Sequence, residues 1–448
     1  MNRAPQAADT IAAIATPPGH GGVGVIRVSG PRAHDLLCAL TPPVPAPRRA
    51  ALRHFRDAGG GAIDRGIVLW FPGPASYTGE DTAEFHGHGG PAVQDALLAR
   101  LVELGARPAR PGEFTERAFL NGRIDLAQAE AVADLIETAD AAGARAAMRS
   151  LDGAFSRRVH ALTDELTALR AWIEAALDFP EDDIDFLGDA ELHRRIEALC
   201  ADVAATRAAA AEGRRLVEGL TVVIAGAPNA GKSSLLNRLA GTDAAIVTEI
   251  AGTTRDALRE SVRIEGVPLT LVDTAGLRST DDPVESEGVR RARDALVRAD
   301  RILLIVDSTS PASELPNLPD DVPVTTIRNK VDLSGEPPGA GPNAAPPVFH
   351  VSATTGAGID PLRAHLREVL AGGADAGGAF SARRRHLDAL DHAVTAIEAA
   401  RAELVSSGAG ELAAEQLRRA QECLGPITGT VTTENLLAEI FGRFCIGK

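Results

Sequence analysis

The sequence predicts a multidomain chain of α+β and α/β class: an α+β amino domain, an all-α helical domain, and an α/β domain inserted into the helical one. Three observations carry this. Glycine and proline clusters separate short β-branched runs over residues 1–121. Apolar residues recur at helical spacing on both sides of the middle of the chain. Between them, residues 217–370 alternate strand-like and helical segments, the pattern of a parallel sheet with crossover helices.

In the amino domain, Val23-Gly-Val-Ile-Arg-Val28 and Ala62-Ile-Asp-Arg-Gly-Ile-Val-Leu-Trp-Phe71 read as strands. Around them lie Thr16-Pro-Pro-Gly-His-Gly-Gly-Val-Gly24, Tyr77-Thr-Gly-Glu-Asp81, His86-Gly-His-Gly-Gly90 and Pro111-Gly-Glu-Phe-Thr-Glu-Arg117. Such glycines admit a ligand or another backbone, or simply make tight turns, and on physical grounds the turn is the stronger reading. His86 and His88 lack a third ligand nearby, so no metal is expected on them. Residues 122–216 form the first part of the helical domain, where Leu162, Leu166, Leu169, Ile173 and Leu177 share one face as core. Ala371-Gly-Gly-Ala-Asp-Ala-Gly-Gly-Ala379 is a flexible joint. Residues 371–448 then return to helix, marked by Leu387, Leu390, Val394, Ile397 and Leu404. A chain that leaves a bundle and comes back is most simply a nested insertion whose two helical stretches pack together.

The inserted block opens with Leu220-Thr-Val-Val-Ile-Ala225, a β-branched run, followed by Gly226-Ala-Pro-Asn-Ala-Gly-Lys-Ser233. A glycine loop between a buried strand and a helix lets backbone N–H groups converge on phosphate oxygens. Lys232 meets the β- and γ-phosphates, the Ser233 hydroxyl ligates Mg²⁺, and Asp273, after the strand Leu269-Thr-Leu-Val272, holds that ion through water. Gly276, in Asp273-Thr-Ala-Gly276, offers an amide to the γ-phosphate. Asn329-Lys-Val-Asp332 selects guanine, because a carboxylate accepts both N1–H and the exocyclic amine, a donor pair adenine lacks. The later strands are Ile302–Val306, Val324–Ile327 and Val348–Val351, with a proline-rich surface loop over residues 337–347. With Ser352-Ala353 these pieces stand in the order of a P-loop, Ras-like GTPase domain. The expected nucleotide set is Asn229, Ala230, Gly231, Lys232, Ser233 and Ser234; Thr248, Glu249, Ile250, Ala251, Gly252, Thr253 and Thr254; Asp273, Thr274, Ala275 and Gly276; and Asn329, Lys330, Asp332, Ser352 and Ala353.

Leu277 follows Gly276, so the glutamine that orients water in Ras-like proteins is missing. Something else must do this. Thr254 serves as the switch threonine for Mg²⁺, and the Asn229 amide oxygen suits a potassium ion standing in for an arginine finger. Glu285 has two readings, a water-positioning carboxylate and a solvated charge.

At 448 residues the chain holds two or three domains. Four widely spaced cysteines point to a reducing cytoplasm rather than disulfides or zinc. No leader pattern and no bilayer-length apolar run is present, so a cytoplasmic protein without membrane partners is expected. A net charge of −15 disfavours indiscriminate binding to nucleic acid, so any such contact is local. Arg383-Arg-Arg385 and Arg290-Arg291 are the basic candidates, with solvated helix ends the stronger reading of both. In the tail Phe441-Gly-Arg-Phe-Cys-Ile-Gly-Lys448, the final lysine argues against prenylation. The tail either reaches a site, offering the Cys445 thiol and the Lys448 ammonium, or frays.

Taken with Gly22-Val-Gly-Val-Ile-Arg-Val-Ser29, Asp125-Leu-Ala-Gln-Ala-Glu130, Ala251-Gly-Thr-Thr-Arg-Asp256 and Phe444-Cys-Ile-Gly-Lys448, these motifs resemble the bacterial tRNA-modification GTPase family, MnmE or TrmE, over essentially the whole chain. The resemblance implies a folate-binding amino domain that forms a homodimer, a helical domain, and a GTPase inserted within it. It implies a partnership with the flavoprotein MnmG (GidA) in a heterotetramer that modifies carbon 5 of the wobble uridine of certain tRNAs. The carbon comes from 5-formyltetrahydrofolate or a related one-carbon tetrahydrofolate. By the same resemblance Arg27, Glu84, Arg123 and Lys448 contact folate, Arg123 standing where the family often has lysine. Cys445 matches the family's cysteine near the folate site, without a secured catalytic role. The family pattern implies K⁺ on Asn229, Thr248, Ile250 and Thr253, Mg²⁺ on Ser233 and Thr254, and water oriented by Glu285. The alternative from another class is a regulatory GTPase switch in ribosome assembly, which the amino domain and the tail motif disfavour.

Overall fold

A computed structural model of the chain describes residues 9–138, 141–178, 190–218, 220–227, 229–240, 259–264, 267–273, 296, 299–310, 318–319, 321–341, 346–371 and 379–447. The chain divides into two compact units. Unit 1 takes residues 1–136, 149–205 and 388–448, and unit 2 takes 137–148 and 206–387.

The first part of unit 1 contains β1 (Ile11–Ile14), β2 (Gly21–Ser29), α1 (Ala33–Leu40), β3 (Ala51–Arg56), β4 (Ala62–Phe71), β5 (Thr82–Gly89), α2 (Pro91–Glu103), β6 (Arg107–Pro108) and α3 (Glu113–Leu120). Their sheet runs β3-β4-β5-β2-β1-β6, antiparallel except for β1 with β6. The two-residue period of a strand sorts its faces. Ile26, Val28, Phe55, Val68 and Phe85 point to one side, where Leu36, Leu37 and Leu40 of α1 and Leu97 and Leu101 of α2 cover them. Phe55 and Phe85 meet edge to face at 5.8 Å.

The helices α4 (Leu126–Glu137), α5 (Ala141–Leu151), α6 (Ala154–Asp178) and α7 (Ala190–Glu218) follow. On α6, Leu162, Leu166, Leu169 and Ile173 are buried as their spacing predicts, while Leu177 is half-buried. After α7 come the elements of unit 2: β7 (Leu220–Gly226), α8 (Lys232–Ala240), β8 (Arg259–Ile264), β9 (Val267–Asp273), β10 (Arg301–Asp307), β11 (Val324–Asn329), α9 (Val331–Ser334), β12 (Gly339–Ala340), β13 (Val348–Val351) and α10 (Ile359–Ala371). The sheet order is β12-β13-β11-β10-β7-β9-β8. Its five central strands are parallel, with β8 and β12 antiparallel at the two ends. The proline-rich loop expected over 337–347 thus contributes the short strand β12, paired to Phe349 and His350. One side of the sheet is cored by Val222, Ile224, Leu235, Leu303, Ile327, Leu362 and Leu366.

Also within unit 2, Ala379, Phe380, Ser381 and Ala382 form a buried strap. The Ser381 amide donates to the Ala146 carbonyl at 3.1 Å, and the strap passes so close to α7 that a Cβ on Gly213 would run into the Phe380 carbonyl oxygen. Asp300 ties the same helix to the sheet: it is ion-paired with Arg214 and accepts the Thr221 amide at 2.9 Å.

The chain ends in α11 (Arg384–Ser407), α12 (Gly410–Thr428) and α13 (Glu434–Gly442). In unit 1, α12 packs along α6, where Gln421 accepts from Arg170 at 3.0 Å and donates to Thr167 at 3.2 Å. Thr433 caps α13, its hydroxyl accepting the Leu436 amide at 3.3 Å. Among the described residues, no helix is long and apolar enough to cross a membrane.

Candidate functional sites

In unit 2 the strand register collects the motifs. Ile305 stands opposite Gly226, Asp307 opposite Asn329, Asn329 opposite Val351, and Ile224 opposite Asp273. All lie at or near the carboxyl ends of parallel strands, where ligands bind in open α/β sheets. The loop from β7 turns through Asn229 (φ 62°) and Gly231 (φ 90°) before α8 begins at Lys232. A Cβ on Gly231 would strike the Asn329 amide, so glycine is needed there for space as well as for φ. The Lys232 ammonium arches over this loop, donating to the Gly226 carbonyl at 2.9 Å and the Ala227 carbonyl at 3.1 Å. Ser233 and Ser234 are exposed in the first turn of α8.

Asn329 is 2% exposed. Its amide nitrogen donates to the Ala230 carbonyl at 2.9 Å, and its amide oxygen accepts the Ala353 N–H at 3.0 Å. The side chain therefore locks the phosphate loop to the Ser352-Ala353 turn, a bracing role that spacing alone did not announce. Lys330, at φ 68°, pairs with Asp307 at 2.6 Å. That hydrogen bond, with those from Thr309, holds the Asp307 carboxyl down at about 2. Asp332 is exposed on α9, and Ser352 is fully buried. Three supporting residues went unread in the sequence: Asp307, Ser308, whose hydroxyl donates to the Asn329 carbonyl at 2.6 Å, and Arg238, which donates to the Ala353 carbonyl at 3.1 Å. Asp307 had a signal, since it ends an apolar strand as Asp273 does. Of Asp273 only the strand position is described; Thr248, Glu249, Ile250, Ala251, Gly252, Thr253, Thr254, Thr274, Ala275, Gly276 and Glu285 lie outside the described residues, as do Arg290 and Arg291.

In unit 1 a second polar cluster sits on the sheet face opposite α1 and α2. Arg27 on β2 faces Glu84 on β5 at 2.9 Å, and His86 meets the other carboxylate oxygen at 3.0 Å. The His86 bond, with help from Arg27, keeps the Glu84 carboxyl below the usual range despite burial. The Arg27 guanidinium lies over the rings of Tyr77 and Phe114, at 5.6 and 5.8 Å from their centres. His88 instead bonds Asp64 at 2.7 Å. Among the described residues, no three ligating side chains gather as a metal would need.

The loop carrying Tyr77 is held by charge. Arg117 pairs with Glu80 at 3.0 Å, and Glu80 accepts the Ser29 hydroxyl at 2.7 Å. Burial pushes the Glu113 carboxyl up, yet Arg107, the Arg110 amide and Arg117 overcome it and hold it at about 2. Arg123 packs its chain near Gly79 of the same loop. The tail reaches this part of the unit: the Cys445 carbonyl accepts the Gly112 amide at 3.4 Å, and Gly447 lies against the Ile14 carbonyl. Phe441 and Phe444 anchor it in a cluster with Leu126 and Ala129. Cys445 is exposed, and Lys448 lies outside the described residues. The tail up to Gly447 is thus packed rather than frayed, on the strand next to the one bearing Arg27.

Residues 126–445 match the family model of the MnmE helical domain, and residues 10–123 match that of the GTP-binding protein TrmE N-terminus. The tRNA modification GTPase MnmE of Chromohalobacter salexigens is 54% identical over 98% of both chains. Its namesake in Alkalilimnicola ehrlichii is 55% identical over 98% of this chain and 99% of that one. Among solved structures, an Era variant of Aquifex aeolicus bound to GDP and AlF4⁻ matches 40% of this chain and 66% of its own, with 27% identity and a TM-score of 0.28. With both family models matching in sequence order and more than half the residues shared with full-length relatives, the chain belongs to the MnmE family of tRNA modification GTPases.

Proposed function

We propose that this chain is a GTP hydrolase whose cycle serves the modification of carbon 5 of the wobble uridine in certain tRNAs. The observation that carries the nucleotide half is the convergence of Gly231 and Lys232, Asp273, Asn329 and Asp332, and Ser352 and Ala353 on one edge of the parallel sheet. In this reading the N–H groups at the start of α8 and the Lys232 ammonium take the phosphates. Ser233 and Thr254 hold Mg²⁺, which neutralises charge on the phosphates when bound. Asp332 accepts the two guanine N–H donors, and Glu285 orients the attacking water. Asn229, Thr248, Ile250 and Thr253 hold K⁺ when two such domains meet.

The amino-domain cluster suits a reduced folate, which supplies the one-carbon unit. A carboxylate accepting from two neighbours, as Glu84 does, has lone pairs left for the paired N–H donors of a pterin. Arg27, Arg123 and Lys448 offer cations to the same ligand, with Cys445 beside them. The working unit is a homodimer through residues 1–121, assembled with the flavoprotein MnmG in the cytoplasm. Residues 122–216 and 371–448 form one helical domain around a GTPase domain of 217–370.

The test is hydrolysis by the full chain with Mg²⁺ in KCl against NaCl. Rates well above those in NaCl are expected in KCl. Equal rates would refute the cation assignment, and turnover of ATP as fast as GTP would refute the guanine assignment.

A further inference from the structure

An acidic protein that works on tRNA must hold a polyanion somewhere, and the sheet edge of the amino domain offers the means. Among the described residues, β3 is the outermost strand of its sheet and pairs only with β4. Arg48 and Arg49 lead into it, Arg53, His54 and Arg56 lie along it, and Arg65 stands directly across from His54. Arg53 is half-buried and the others are exposed.

Among the described residues, none of these five arginines meets a carboxylate. Those that bond do so to backbone carbonyls: Arg48 to Ala75, Arg53 to Pro43 at 2.7 Å and Leu52 at 2.9 Å, and Arg56 to Gly60 at 3.0 Å. The nearby acids are engaged elsewhere, Asp57 with the Gly61 amide and Asp64 with His88. In the rest of the chain arginines such as Arg107, Arg117, Arg195, Arg328 and Arg418 face carboxylates. A cluster of like charges left uncompensated in a chain of net charge −15 marks a surface completed by an external anion. By contrast Arg383, Arg384 and Arg385, a basic run in the sequence, already have partners.

The geometry suits a phosphate backbone. At about 3.3 Å per residue, β3 from Ala51 to Arg56 extends roughly 16 Å, room for several phosphates of a duplex. Guanidiniums pinned to carbonyls through one N–H, as in Arg56, or two, as in Arg53, keep their remaining donors free for phosphate oxygens.

We propose that the β3–β4 hairpin is the edge on which this chain docks RNA, with Arg49, Arg53, Arg56 and Arg65 on the phosphate backbone. The inference rests on the tRNA reading above and adds where the contact is made. Phosphate contacts orient without reading sequence, so the hairpin positions the substrate rather than choosing it.

The experiment titrates the full chain against fluorescently labelled tRNA over a range of KCl concentrations. The triple variant Arg53→Ala, Arg56→Ala, Arg65→Ala is expected to bind roughly tenfold or more weakly, with the slope of log K against log salt shallower by about 2. Arg194→Ala, Arg418→Ala, Arg419→Ala, which removes paired arginines, is expected to leave both unchanged. Both triples should hydrolyse GTP at the parent rate. Unchanged affinity and slope in the hairpin triple overturn the placement and leave the tRNA reading standing. Failure of the parent chain to bind tRNA at any salt overturns the placement and removes direct RNA contact from that reading. Loss of a dimer in sedimentation, with RNA affinity unaltered, reassigns the hairpin to a second copy and also overturns the proposal.

Discussion

The Asn329 side chain shows how much one buried amide can hold. It closes two loops at once, and truncation would leave the Ala230 carbonyl and the Ala353 amide without partners in a closed environment. Each orphaned group costs about 1–3 kcal/mol, so Asn329→Ala is expected to lower the stability of unit 2 by roughly 2–6 kcal/mol and to weaken GDP binding more than tenfold. Melting curves and calorimetric titration check this; an unchanged melting temperature would remove the bracing role. The sequence motif located Asn329 but not its duty. Its partner Ala230 is 99 positions away, and only the folded sheet brings the two together. The same holds for Arg27 and Glu84, 57 positions apart, whose pairing depends on the register of β2 with β5.

Elements were readable wherever a strong period ran long enough. The expected strand Ala62–Phe71 coincides with β4, and the leucine stripe over residues 162–173 is the buried face of α6. Short pieces escaped. β12 is two residues of a proline-rich loop, recruited because β13 has an open edge. The strap at 379–382 is too brief to show a period and directly follows glycines that read as a joint. Its importance can be tested at Gly213, where a methyl group would push the strap from α7. Gly213→Ala is expected to cost about 1–3 kcal/mol through overpacking and to speed hydrogen exchange at the Ser381 amide, which now bonds Ala146. Exchange at the parent rate would show that the strap is not held there.

For the molecule as a whole, the order of parts was visible in composition, because glycine-rich, alanine-rich and β-branched stretches follow one another. What the sequence hid was the electrostatics that secure each unit, since Arg117, which holds Glu113, also pairs with Asp9 and Glu80, 108 and 37 positions away. Glu113 in unit 1 and Asp307 in unit 2 are both held at about 2, below ordinary values of 4.5 and 3.8. A lowered carboxyl stabilises the fold fully above its unfolded value and loses that contribution as pH falls toward the folded one. Unit 1 is therefore expected to weaken from about pH 4.5, and unit 2 from about pH 3.8, each down to about pH 2. Glu113→Gln should flatten that decline for unit 1 alone, as followed by melting curves against pH, and a decline of unchanged steepness would discount the Glu113 network. The packing of Phe441, Phe444 and Gly447 on the amino domain carries one more consequence. During translation, the corner beside β1 must wait for residues made long after it, so a nascent chain stalled before residue 441 leaves that corner uncovered.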